Sequence, residues 1–312
     1  MRSILFPARI HSRPRRERMM ACVLLMLALM SLAAVANAAQ DAPQRILFIG
    51  NSFTYGAHSP VWRYRADTVH DLNGDGVGGV PALFKLFTEE AGLHYDVSLE
   101  TDAGQTLKFH FEHRADRFDR AWDHVVMQEY STLSPTQPGD PRNFQRYADK
   151  LAALFHARNP KVDIRLLATW SRPDQTYRKG GHWHGQPIQA MGRDLYAAYR
   201  QVADGNPAID GVIPLGLAFN RAIAMGVADP NPYDGIAFGQ IDLWAYDHYH
   251  ASTYGYYLEA LMDFGAITGK DPRMLGRDEK AARELGISPD QAHALQTVAQ
   301  RQLHLEALRN PK

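Results

Sequence analysis

Five short apolar runs, separated by longer segments of helical period, limit the folds open to this 312-residue chain. They are RILFIG at 45–50, YDVSLE at 95–100, DHVVMQE at 123–129, VDIRLLAT at 162–169 and GVIPLG at 211–216. Apolar residues recur at helical spacing near 80–91, 143–157, 187–203 and 217–226. This alternation predicts a parallel sheet covered by helices, and the third and fourth runs are nearly continuous, as strands buried on both faces require. The expected architecture is an α/β fold, a three-layer α/β/α sandwich. No repeat or low-complexity linker divides it. A final stretch from about 268 reads as two closing helices that restart at Ser288-Pro289-Asp290.

Residues 1–38 stand apart from that pattern. Arg2, Arg9, Arg13, Arg15, Arg16 and Arg18 precede the run ACVLLMLALMSLAAVA, which ends in Ala36-Asn37-Ala38. A basic start, an apolar run and a small-x-small site describe a signal peptide, and the run is short of the roughly 20 apolar residues that span a bilayer. The expectation is export to the periplasm or medium, cleavage near Ala38, one domain over 39–312 and no stable membrane insertion afterwards. The single cysteine, Cys22, lies in the leader, so the mature chain has no disulfide, thiolate nucleophile or cysteine metal site. Lys plus Arg and Asp plus Glu balance at 34 each, without the concentrated basic face that nucleic acid needs.

Ligands of open parallel sheets sit beyond the carboxyl ends of the strands. Ser52 in GNSF follows the first run, Gly104 in TDAGQTL the second and Gln128 in VVMQEYS the third. Further on, DHYHASTYGYYLEAL brings Asp247, His248 and His250 to the start of what reads as an amphipathic helix. Each feature alone is ordinary, since serine caps helices and glycine makes turns. Together they fill the roles of acyl transfer: a hydroxyl nucleophile, a histidine base, a carboxylate to fix its tautomer, and N–H donors for an oxyanion. From the residues alone, either His248 or His250 can be the base.

The GNSF block, the glycine, the polar amide and D-x-x-H, spread over about 45–265, resemble the four blocks of the GDSL/SGNH hydrolases. That resemblance implies a flavodoxin-like sheet and ester hydrolysis without metal or organic cofactor. It assigns Ser52 as nucleophile, His250 as base, Asp247 as its orienting acid, and Ser52, Gly104 and Gln128 as oxyanion donors. Asn51 stands where the family usually has Asp, and Gln128 where it has Asn. Gln128-Glu129-Tyr130-Ser131 is similar to a Gln-Gly-Glu segment of the carbohydrate-esterase branch, which implies a short acyl ester, of the acetyl class, on a sugar. Asn51, Glu129, Trp170 and Trp183 are then candidate substrate contacts. A non-catalytic carbohydrate-binding or envelope protein, and a lipid esterase or thioesterase, are the other readings of the same blocks.

Two further clusters compete for attention. Asp71, Asn73, Asp75 and Gly76 have the spacing of a calcium loop, but Ala82 occupies the position of its bidentate glutamate, so the stretch reads as a polar insertion shaping the pocket. His182 and His184 have no third ligand at a defensible spacing.

Overall fold

In the computed structural model, which describes residues 42–309, the centre of the sheet is the first apolar run. The strands are β1 (Gln44–Gly50), β2 (His70–Asp71), β3 (Tyr95–Thr101), β4 (His124–Met127), β5 (Asp163–Leu167) and β6 (Gly211–Ile213). All neighbours are parallel, in the order β2-β3-β1-β4-β5-β6. The chain visits one side of β1 first and then crosses to β4 on the other, so the direction of winding reverses at the carboxyl ends of β1 and β4. Such a reversal opens a crevice there. From Gln44 onward the chain forms one compact unit. The signal-peptide segment lies outside the described residues.

Strand alternation sends successive side chains to opposite faces, and here both faces are covered. Ile46 and Phe48 join a core with α1 (Gly79–Glu90), α5 (Leu215–Ala224), α6 (Thr253–Thr268) and α7 (Pro289–Arg309). Leu47 and Ile49 join a second core with α2 (Leu107–His113), α3 (Arg142–Arg158) and α4 (Gln189–Gly205). The result is the expected three-layer sandwich. Among the described residues no helix is long and apolar enough to cross a membrane.

Two local expectations need correction. The stretch after Thr106 has apolar residues two apart and lies outside the segments of helical spacing, yet α2 forms because Thr106 Oγ1 accepts from Phe109 N and Glu129 Oε2 from Leu107 N. The α6 helix is not amphipathic: twelve of its sixteen residues are buried. Ser252 caps it and Gly269, at φ 67°, ends it.

Burial of α6 includes two carboxyls one turn apart, Glu259 and Asp263, both 0 % exposed, and none of their four oxygens has a hydrogen-bond partner. Burial pushes both far above the ordinary carboxylate range, and for Glu259 the neighbouring Asp263 adds to it. Their protonated forms are favoured in the folded state. Stability therefore is fully present below the unfolded carboxylate pKa, about 4, and falls as pH rises above it, because the unfolded chain releases these protons first. Replacing both by neutral isosteres, E259Q/D263N, is expected to raise the melting temperature more at pH 8 than at pH 4. Paired thermal melts at the two pH values check this; equal shifts would show that the acids do not titrate with folding.

Candidate active site

The turn leaving β1 is built from close approaches. A Cβ on Gly50 would lie 2.1 Å from Thr54 Oγ1 and 2.7 Å from Gln128 Oε1, so only glycine fits. The Asn51 N–H and the Thr54 hydroxyl both donate to Gln128 Oε1, at 3.0 and 3.1 Å. Asn51 Oδ1 accepts from Phe53 N at 3.2 Å, and its amide Nδ2 donates to the Gln105 carbonyl at 3.0 Å. This binds the turn to the segment after β3. Ser52 Oγ is not a helix cap. Its recorded partner is Nε2 of His250, 2.9 Å away.

His250 arrives from the other end of the chain, on a loop closed at its base by the antiparallel bridge between Trp244 and Ala251. Asp247 organises that loop. Its Oδ1 accepts the backbone N–H groups of Tyr249 and His250, at 3.1 and 3.0 Å, while Oδ2 faces His250 Nδ1 at 2.6 Å. The structure thus brings Ser52, His250 and Asp247 into one hydrogen-bonded relay. His248 points elsewhere, with its ring against Tyr233 at a centroid distance of 4.3 Å.

Aromatic packing fixes the imidazole. Trp170 stacks on Phe53 at 4.0 Å and an interplanar angle of 6°, and Phe53 meets the His250 ring edge-on at 5.5 Å. Burial lowers the His250 pKa, and the hydrogen bond and charge of Asp247 oppose this without cancelling it. For Asp247 burial acts in the opposite sense, but the bonds from the His250 ring and the two backbone N–H groups outweigh it and hold the carboxyl below its ordinary range. The imidazole is neutral and the carboxylate ionised near neutral pH, the states that a base and its orienting acid require.

Gly104 has φ 68° in an exposed turn after β3, where a side chain would be strained. Among the described residues no acceptor engages the backbone N–H of Ser52 or Gly104. Gln128 differs. It is 1 % exposed, its Oε1 takes two donors, and its Nε2 donates to the Glu129 carbonyl. Backbone groups fix this orientation, because a flipped amide would set its NH2 against the Asn51 N–H. Its Oε1 and one of the two Nε2 hydrogens are engaged inside the turn, so Gln128 braces the serine turn in addition to the donor role expected of it.

Solved structures share this arrangement of elements. No protein-family model and no curated protein matches the chain. A DUF4886 family protein from Bacteroides uniformis is 18% identical, with a TM-score of 0.56 over 86% of this chain and 96% of its own. A protein described as a GDSL-like lipase, from Parabacteroides merdae, is 18% identical, with a TM-score of 0.50 over 72% of this chain and 95% of its own. The chain has an SGNH hydrolase-like fold.

On this SGNH hydrolase-like frame, the four candidate substrate contacts lie inside. Asn51 is 2 % exposed and holds the turn. Glu129 is 1 % exposed; its carboxyl accepts from Leu107 N and Tyr130 N, and burial pushes it up to about 8 against those bonds. Trp170 is 0 % exposed in the stack under His250, and Trp183 donates to Asp194 Oδ2 at 2.8 Å in the second core. Their burial corrects the reading that they contact substrate. The Asp71 carboxylate receives the backbone N–H groups of Asn73, Asp75 and Val77, so the loop is folded on its own aspartate.

Sequence reasoning missed His58, six residues after Ser52. Its Nε2 is 3.8 Å from Asp247 Oδ2, its Nδ1 pairs with the Tyr246 hydroxyl at 2.7 Å, and its ring lies 4.6 Å from that of His250. Ligand atoms of His58, Asp247 and His250 come within 4.8 Å of one another, but the two His250 nitrogens are directed at Asp247 and Ser52. No motif marks His58; only the left-handed backbone at φ 60° turns it to the site.

The two roles of Gln128 separate experimentally. Truncation in Q128A leaves the Asn51 N–H and the Thr54 hydroxyl without their acceptor, and each unsatisfied buried group costs about 1–3 kcal/mol. The expected result is a marked loss of stability in urea unfolding. Unchanged stability with a rate loss of about a hundredfold or more would instead identify an oxyanion donor.

Proposed function

We propose that this protein is an exported serine carboxylic ester hydrolase that removes a short acyl group, acetyl, from a carbohydrate. The single observation that carries the hydrolase reading is the Ser52, His250 and Asp247 relay, with contacts of 2.9 and 2.6 Å. The fold supports it. The basic, apolar leader supports export, and the similarity of Gln128-Glu129-Tyr130-Ser131 to a carbohydrate-esterase segment supports a sugar ester.

In this reading His250 Nε2 takes the Ser52 proton as Oγ attacks the ester carbonyl. The backbone N–H groups of Ser52 and Gly104 receive the developing oxyanion, with the second Nε2 hydrogen of Gln128 as a further donor. His250 then gives its proton to the leaving sugar alkoxide, which leaves an acyl-Ser52. Water, deprotonated by His250, attacks the acyl carbon and releases the carboxylic acid and free Ser52. Asp247 keeps the Nδ1 proton in place throughout and stabilises the imidazolium formed at each step.

Purified protein is expected to hydrolyse an aryl acetate and to be labelled by a fluorophosphonate at Ser52. In S52A hydrolysis is expected to fall by about a thousandfold or more, with the thermal melt unchanged. Full activity in S52A would overturn the reading.

The pH profile follows from the buried imidazole. Catalysis needs neutral His250, and its pKa is held below the ordinary value of about 6.5. The acid limb of kcat/KM is therefore expected to have an apparent pKa under 6.5, with activity lost only as pH falls through that lower value. An acid limb above 6.5 would show that Asp247 outweighs burial.

A further inference from the structure

Beside the nucleophile turn lies a cavity of about 480 Å³. Its walls come from segments already tied to the relay: Tyr55, three residues after Ser52; Trp62 and Arg63 from the helical turn Pro60–Arg63; and Asp102, two residues before Gly104. The polar insertion and Arg117, which is bonded to its Asn73, close the remaining wall. The cavity thus shares the loop that carries Gly104.

The chemistry of the walls is specific. Trp62 is 39% exposed, and its ring lies 5.4 Å from that of Tyr55. The Arg63 guanidinium sits 5.0 Å from the Trp62 ring centroid. Arg63 Nη1 donates to the carbonyls of Asp75 and Gly76, and Arg117 Nη1 to Asn73 Oδ1, so neutral oxygens hold both guanidinium groups. Among the described residues neither forms a salt bridge. Asp102, by contrast, is paired with Arg114 Nη2 at 3.2 Å. Of the cavity's charges, two arginines stand against one exposed, unpaired carboxylate, Asp75. Each held guanidinium retains further N–H donors suited to a planar carboxylate, and an exposed indole offers a flat apolar face to a sugar ring.

We infer that this cavity is a subsite for an acidic sugar, with the ring on Trp62 and its carboxylate at Arg63 and Arg117, so that the substrate is the acyl ester of a uronic-acid-containing carbohydrate. The inference rests on the hydrolase reading and names the alcohol that the reading leaves open.

The test compares acetylated methyl glucuronoside with the matching acetylated methyl glucoside, which differ only in the carboxylate. The expected kcat/KM ratio favours the acidic sugar by about tenfold or more, about 1.4 kcal/mol, and shrinks at high salt. In R63A/R117A the ratio falls toward one. In W62A both sugars lose kcat/KM and the ratio persists. A ratio near one in the wild type, or a preference that survives R63A/R117A, overturns the inference. If the wild type cleaves neither these sugars nor an aryl acetate, the hydrolase reading fails. Calorimetric titration of the wild type with an unacetylated uronate oligosaccharide then decides the subsite: binding weakened in R63A/R117A upholds it, and no binding overturns it.

Discussion

The direction in which Ser52 points depends on one buried acceptor, Oε1 of Gln128. Two donors from the turn, the Asn51 N–H and the Thr54 hydroxyl, converge on it. They can do so only because residue 50 has no Cβ to stand in the way. The turn is consequently drawn against the end of β4 while the Asn51 side chain reaches the other way, to the Gln105 carbonyl beyond β3. Three strand ends become one hydrogen-bonded unit, and the serine hydroxyl is the group left facing out of it. In a buried setting such bonds matter through the cost of leaving any member unpaired, which makes the turn rigid.

His250 is placed by a different device. Asp247 gathers two backbone N–H groups and the imidazole on one carboxylate, so the loop conformation and the histidine tautomer are set together. Underneath, the stack of Phe219, Trp170 and Phe53 packs against the imidazole. That packing has an electrostatic consequence: desolvation wins over the attraction of Asp247, and the imidazole stays a free base. Burial and basicity are two results of the same aromatic contacts.

The layers were legible because β1 and β4 carry continuous apolar runs and β5 ends in one after Asp163 and Arg165, and the relay because each of its members follows a strand or opens a helix. Other features were hidden for physical reasons. Leu107, Phe109 and Phe111 alternate as in a strand, and the Thr106 cap together with the long-range acceptor Glu129 makes the segment helical. The segment of α6 reads as amphipathic, but α7 covers that helix, a contact that no local pattern encodes. Trp170 and Trp183 looked available for sugar stacking because sequence does not reveal which aromatic residues are exposed. The exposed one is Trp62, in a segment without any motif.

Gln128 and Glu129, adjacent at the end of β4, divide the support of the site between them. Gln128 grips the serine turn, and Glu129 grips the first turn of α2, just after the loop bearing Gly104. Their partners explain why one is an amide and the other an acid. Gln128 must accept from Asn51 and donate to the Glu129 carbonyl, which an amide does without charge. Glu129 accepts two N–H bonds, yet burial outweighs them and pushes it up to about 8. Near neutral pH its carboxyl is therefore mostly uncharged. A carboxylate at that position would set a negative charge behind the loop proposed to receive an oxyanion, and low-dielectric surroundings would magnify the repulsion. Burial of Glu129 thus provides the acceptor that α2 needs without placing an opposing charge beside Gly104.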